Sequence, residues 1–243
     1  NVISWVLKKS SHLIAVSEAL KLKMIEHGAV SEKVTVIPNG VDHRLFSPGS
    51  QSSARMALKV DPRKKMLLTV CSLVDLKGVD LLVDAAEILR RNTDEKFVFF
   101  VIGKGPEQAC LETKIHQYGL DDNVILQGSV NNHELPDWYR AADLFFLGSK
   151  REGWPNVICE AQACGLPVVA TRVGGIPEIV DDDRLGILTD RSADDFALAI
   201  NKAFNKRWDK RYIAEKGQNR NWEKVADNLH TLFTDIIRCE KNN

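Results

Sequence analysis

Phe97-Val98-Phe99-Phe100-Val101-Ile102 is a six-residue run without a polar side chain, and it leads directly into Gly103-Lys104-Gly105-Pro106. A strand with one solvated face alternates apolar and polar residues. A run that is apolar at every position is buried on both faces, as in a parallel sheet covered by helices. The segment after it, 106–118, reads as a helix, and the same strand–turn–helix unit recurs to either side. Strand 66–71 precedes helix 78–91, and strand 124–127 precedes helix 133–142. Strand 144–147 precedes helix 156–164, strand 167–171 precedes a short helix at 176–180, and 186–188 is a last short strand. This alternation predicts an α/β domain with a doubly wound parallel sheet and helices on both faces.

In such sheets ligands bind beyond the carboxyl ends of the strands, so the turns 72–77, 103–106, 128–132, 148–156 and 172–176 are where chemistry is expected. The fourth of these carries Glu152, and Glu160 follows it inside the helix that starts at Asn156. Free N–H groups at that helix start favour an anion. A carboxylate nearby can accept charge-assisted hydrogen bonds from sugar hydroxyls. The alternative is a solvated loop charge at Glu152 and a helix-favouring charge at Glu160. Lys77-Gly78 stands just before another helix, where a lysine can neutralise a phosphate as a point charge or simply face solvent. Gly174-Gly175 lets the backbone approach a ligand closely, or makes a turn. Gly103-Lys104-Gly105 lacks the third glycine of a dinucleotide fingerprint, since position 108 is Gln. Asp181-Asp182-Asp183 reads as a solvated acidic loop, and the six histidines form no ligand spacing.

Composition narrows the class. Lysine plus arginine equals aspartate plus glutamate at 33 each, which argues against a nucleic-acid binder. Five cysteines at irregular spacing form neither a disulfide framework nor a zinc pattern, and suit a reducing, cytoplasmic setting. No apolar run approaches the ~20 residues of a membrane helix. The chain opens Asn1-Val2-Ile3, without methionine, and is expected to be a piece of a longer protein. Segments 12–17 and 34–37 read as strands, with Ser17 as a helix N-cap and Gly28 as a stop between them. The Pro-, Gly- and Ser-rich stretch 39–53 reads as a linker. Near the end, Trp222, Val225, Ala226, Leu229, Leu232, Phe233, Ile236 and Ile237 form one apolar helical face, read as core-facing.

The run Arg151-Glu152-Gly153-Trp154-Pro155-Asn156, continuing through Glu160-Ala161 to Ala163-Cys164-Gly165-Leu166-Pro167 and Gly174-Gly175-Ile176-Pro177-Glu178, closely resembles the E-x7-E region of group 1 (family 4) retaining glycosyltransferases. Val36-Ile37-Pro38-Asn39-Gly40-Val41-Asp42, Leu76-Lys77-Gly78, Ile102-Gly103-Lys104-Gly105-Pro106 and Tyr139-Arg140-Ala141-Ala142-Asp143 agree, in order. The resemblance implies the GT-B fold, two Rossmann-like domains facing across a cleft. Residues 54–243 would be the domain that binds a nucleotide-sugar donor, and 1–38 the last strand–helix–strand piece of the acceptor domain.

In that reading Glu160 holds the ribose hydroxyls, Glu152 contacts the donor sugar, and Lys77 neutralises the diphosphate. Backbone amides near Asn156 and Val157 join Lys77, with Trp154 in the same run, and Gly128-Ser129-Val130 lies against the base. The family usually needs no metal or other cofactor. Ser72 occupies the diphosphate-facing position where many members carry arginine, so Arg151 or Arg172 would have to compensate. The acceptor, a sugar or a lipid, belongs to the missing domain, and peripheral contact with a membrane stays open. Apolar surface is expected to be exposed near Trp5, Val6, Ile14 and Val16, or the packing there to be altered, and the isolated chain is expected to bind nucleotide without transferring sugar. Two other functions remain open at this point: a sugar-nucleotide 2-epimerase of the same fold, and a non-catalytic nucleotide-binding or interaction module.

Overall fold

The computed structural model describes residues 2–241. A small N-terminal unit comes first: helix α1 (Val2–Lys9), strand β1 (Leu13–Ala15), helix α2 (Glu18–Glu26) and strand β2 (Val34–Val36). The two strands pair in parallel, Leu13 opposite Val34, so both expected strands are present but shorter at their ends. Ser17 does cap α2, accepting a hydrogen bond from the Leu20 amide. Helix α3 (Gln51–Ala57) starts inside the stretch read as linker, because Ser50 accepts from the Ser53 amide and begins a helix there.

The rest is a six-stranded, all-parallel sheet of β3 (Lys65–Val70), β4 (Phe97–Ile102), β5 (Val124–Gly128), β6 (Leu144–Leu147), β7 (Val168–Thr171) and β8 (Gly186–Thr189), in the spatial order β5-β4-β3-β6-β7-β8. Helices α4 (Val79–Asn92), α5 (Gln108–Gln117), α6 (Leu135–Ala141), α7 (Asn156–Ala163), α8 (Ile176–Ile179) and α9 (Ala193–Asn205) alternate with the strands, and α10 (Lys210–Gln218) and α11 (Trp222–Lys241) follow. The expected α/β architecture is therefore the observed one. The apolar run divides as the two-residue period of a strand requires. Phe97, Phe99 and Val101 join Leu82, Phe146 and Phe196 in one core layer. Val98 and Ile102 join Leu68, Tyr139 and Ile158 in the other.

Strand order reverses between β3 and β6, so the crevice beyond their carboxyl ends is the site the topology offers. The loops leaving the two strands are tied together there. Lys150 N–H donates to the Leu76 carbonyl at 2.8 Å, and Gly78 sits at φ 65°, where a Cβ would lie 2.2 Å from the Gly148 carbonyl oxygen. Only glycine fits both the conformation and the space.

Two expectations about exposure change. The apolar stripe of α11 is not core-facing: Trp222, Phe233 and Ile237 are about half exposed, and no described side chain of this helix is fully buried. The helix is anchored at its base, where Val41 N–H donates to the Arg220 carbonyl at 2.7 Å and Glu223 meets His43 and Arg44. Beyond that point no described element covers it. In the N-terminal unit Trp5, Val6 and Ile14 are exposed as expected, with Val2 and Ile3 beside them. Val16 is instead partly buried, because it packs against the main core near Gly153.

Candidate functional site

Lys77 is carried out of β3 on a single 3-10 turn, Asp75–Lys77, which Gly78 terminates. Glu152 comes from the loop after β6, on the other side of the strand-order reversal. Their side chains meet: Lys77 Nζ lies 2.6 Å from Glu152 Oε1, and Ser149 Oγ donates to the same oxygen at 2.7 Å. Glu152 is only 9% exposed, against 26% for Lys77. Ser149 is fully buried, and its own carbonyl accepts from Thr171 Oγ1 at 2.8 Å, which fixes the β6 loop to the end of β7. Gly174 explains the double glycine: at φ 53° it lies so close to this loop that a Cβ would be 1.7 Å from the Glu152 carbonyl oxygen.

Two clefts open at this end of the sheet. The larger, about 420 Å³, is lined by Lys77, Arg151, Glu152 and Gly174 together with Ala19 and Lys23 of α2. It therefore lies between the N-terminal unit and the sheet domain. The two are stapled there by Glu178, whose carboxylate accepts from the Glu18 and Ala19 amides at 2.8 and 2.9 Å. The second cleft, about 330 Å³, lies beyond β3, β4 and β5 and is lined by Ser72, Gly103, Lys104, Ser129, Val130 and Val157.

The expected site residues thus gather in two neighbouring groups. Lys77 and Glu152 share one cleft; Ser72, Ser129, Val130 and Val157 share the other, with Gly128 at the end of the strand that leads into it. Asn156 opens α7, its side chain held by Asn39 Nδ2 at 3.2 Å, and the first amides of α7 have no partner within the helix. Trp154 faces elsewhere, buried in the core beside Cys159. Arg151 lines the cleft with Lys77, whereas Arg172 lines a separate cavity with Asp181, Asp182 and Asp183 at the β8 edge. In that acidic loop Asp182 is engaged by Arg184 and by Tyr212 Oη. Among the described residues no group of three or more His, Cys, Asp or Glu side chains is placed to hold a metal ion, and no helix is long and apolar enough to cross a membrane.

Glu160 lies one helical step deeper in α7. Tyr139 Oη donates to its Oε2 at 2.8 Å, and burial pushes its carboxyl above the ordinary glutamate value while that hydrogen bond pulls the other way. Burial likewise pushes the neighbouring Cys159 and Cys164 thiols up to about 12, so they stay uncharged. Gly103-Lys104-Gly105 has a packing reason: Cβ atoms at Gly103 and Gly105 would fall 1.8 and 2.2 Å from the carbonyl oxygens of Cys71 and Leu73. Ser149 and Tyr139 are the side chains at this site to which sequence reasoning gives no role. Neither carries a signal by itself, since a lone hydroxyl has no spacing to read.

Residues 50–220 match the family model described as Glycosyl transferases group 1, and residues 1–45 match that of Glycosyltransferase Family 4. The chain belongs to the group 1 glycosyltransferases. Among curated relatives it is 34% identical over 230 residues to the D-inositol 3-phosphate glycosyltransferase of Arthrobacter sp. (strain FB24), covering 91% of this chain and 55% of that protein. It is 35% identical over 206 residues to the D-inositol 3-phosphate glycosyltransferase 2 of Catenulispora acidiphila, covering 80% and 48%. This group 1 chain therefore spans about half the length of the curated relatives it matches. Among solved structures, HepE of Anabaena in complex with UDP and glucose superposes with a TM-score of 0.85 at 25% identity, covering 96% of this chain and 66% of that one. Sucrose-phosphate synthase from Thermosynechococcus elongatus shares the fold at a TM-score of 0.84, 23% identity and coverage of 98% and 61%.

Proposed function

We propose that this chain is the donor-binding half of a retaining glycosyltransferase that takes a nucleoside diphosphate sugar, UDP-linked in the first instance, and transfers the sugar to a sugar or lipid acceptor. One observation carries the reading: Lys77 and Glu152, from loops on either side of the strand-order reversal, meet in one cleft at the carboxyl ends of β3 and β6. The HepE structure in complex with UDP and glucose supports the choice of UDP.

In this reading the base lies in the second cleft against Gly128, Ser129 and Val130, next to Ser72. Glu160 holds the ribose hydroxyls. The diphosphate bridges to the first cleft, over the free amides of Asn156 and Val157, where it takes Lys77 away from Glu152. Arg151 supplies the second cation that Ser72 cannot, since it lines the same cleft as Lys77 and Arg172 does not. Glu152 accepts hydrogen bonds from the sugar. Preorganised cations and amides then stabilise the charge that develops on the departing diphosphate, the electrostatic form of catalysis. No metal takes part. The acceptor site belongs to the rest of a full-length, cytoplasmic enzyme, which also covers α1 and α11, so the chain alone binds nucleotide without turnover. Calorimetric titration with UDP, GDP and ADP tests this. UDP is expected to bind selectively, and Glu160→Ala to weaken it roughly tenfold or more. Equal indifference to all three nucleotides, or an unchanged affinity in the variant, sinks the reading.

A further inference from the structure

The two carboxylates of the site are held in the same way. Glu152 Oε1 receives the buried hydroxyl of Ser149 at 2.7 Å, and Glu160 Oε2 receives the buried hydroxyl of Tyr139 at 2.8 Å. In each case the second carboxylate oxygen has no protein partner among the described residues. Both donors are buried and held by neighbouring contacts. Ser149 is fully buried and tied through its carbonyl to Thr171. Tyr139 is 1% exposed, with its ring set edge-on to Phe46 at 5.8 Å and tilted against Phe145 at 5.9 Å.

We propose that Ser149 and Tyr139 are positioning residues, each pinning one oxygen of one glutamate so that the other oxygen is presented to the donor, Tyr139 for the ribose and Ser149 for the sugar. This rests on the function proposed above. A carboxylate on a freely rotating side chain loses entropy when it binds; one already held by a rigid donor loses less. Ser149 has a second consequence. Lys77 shares Glu152 Oε1 with it, so when Lys77 turns to a phosphate the nearly buried carboxylate keeps one hydrogen bond. Leaving such a group unpartnered is costly. Ser149 thus makes the exchange of Lys77 from Glu152 to the ligand permissible.

The test uses the chain with Tyr139→Phe and Ser149→Ala, both of which keep the packing volume nearly intact; circular dichroism and thermal midpoints check the fold. Each is titrated with UDP, 2′,3′-dideoxy-UDP and UDP-glucose. Tyr139→Phe is expected to weaken UDP about tenfold and to leave the dideoxy compound, which lacks the ribose hydroxyls, unchanged. Ser149→Ala is expected to weaken UDP about threefold, because Glu152 loses its remaining partner when Lys77 turns to the phosphate, and UDP-glucose about thirtyfold. Equal losses on both ligands of either pair, or no loss on any, overturn the proposal. A second readout needs no ligand: the carbon-13 carboxyl resonance of Glu160 titrates at higher pH in Tyr139→Phe, because the lost O–H favoured the charged form. An unmoved titration overturns the Tyr139 half. A wild-type chain that ignores UDP, together with the upward shift in Tyr139→Phe, breaks the donor reading while supporting the clamp.

Discussion

Helices α9 and α11 both carry an apolar stripe at helical spacing, and the structure treats them oppositely. In α9 Phe196, Ala197, Ala199, Ile200 and Ala203 are buried against the sheet domain. In α11, the longer helix, Trp222, Phe233 and Ile237 remain about half exposed. The same contrast separates the six-stranded sheet, whose β6 and β7 are buried at every position, from α1, where Leu7 alone is buried and Val2, Ile3, Trp5 and Val6 face outward. An apolar stripe reports that a face is suited to burial. It does not report what buries it. Where α9 has the sheet, the exposed apolar faces of α1 and α11 have no cover among the described residues.

The largest effect that sharpens this contrast is in the sheet. Phe99 is fully buried against Phe146, ring centroids 4.3 Å apart, and Phe99→Ala is expected to cost about 3–5 kcal/mol in a urea unfolding measurement. A cost below about 1 kcal/mol would mean that the sheet is no better packed than the flanking helices.

Next in size is the staple between the regions. Glu178→Ala removes the carboxylate that accepts from the first amides of α2, while Ser17 keeps its own cap. A loss of about 1–2 kcal/mol is expected. It should be confined to the N-terminal unit: hydrogen exchange at Glu18 and Ala19 quickens while amides of β3 and β4 do not change. Uniform quickening would show that the two regions unfold as one.

The sheet domain also holds a stability cost at its own site. Burial raises the Glu160 carboxyl above its ordinary value. A folded-state pKa raised in this way means the folded protein prefers the protonated form. The contribution to stability is complete below the ordinary glutamate range and is lost as pH rises through the raised folded value. Glu160→Gln is therefore expected to be more stable than wild type at pH 7, by about 0.5–2 kcal/mol, and the advantage should vanish near pH 4. Parallel pH-stability curves for the two proteins would remove the argument. Loss of UDP binding in the same variant would show that the strained charge is kept for function.

How much of this can be read in advance follows from range. Phe97 to Ile102 announces a doubly buried strand by itself, and Lys77 and Glu152 stand in turns that the alternation singles out, so fold and site region are legible. The pairing of Lys77 with Glu152 depends on which strands are neighbours, which no local pattern encodes. The hydroxyls of Ser149 and Tyr139 acquire meaning only from a carboxylate folded against them. The α11 stripe reads as core because periodicity has no term for a partner outside the described chain.

The smallest expected effect addresses the α11 stripe directly. Phe233 is 52% exposed. Replacing it by serine removes no core contact, so the urea midpoint of Phe233→Ser should correspond to a change within about 0.5 kcal/mol of wild type. The exposed face would nevertheless shrink, and binding of a hydrophobic dye such as ANS should fall. If stability instead drops by about 2 kcal/mol or more, α11 folds back onto this chain in solution, and its stripe is core after all. If stability holds and dye binding falls, the stripe is a surface awaiting a partner. The proposed acceptor-side half of the enzyme then becomes its occupant to test, by asking whether the same serine weakens association in the longer protein while leaving the six-stranded sheet intact.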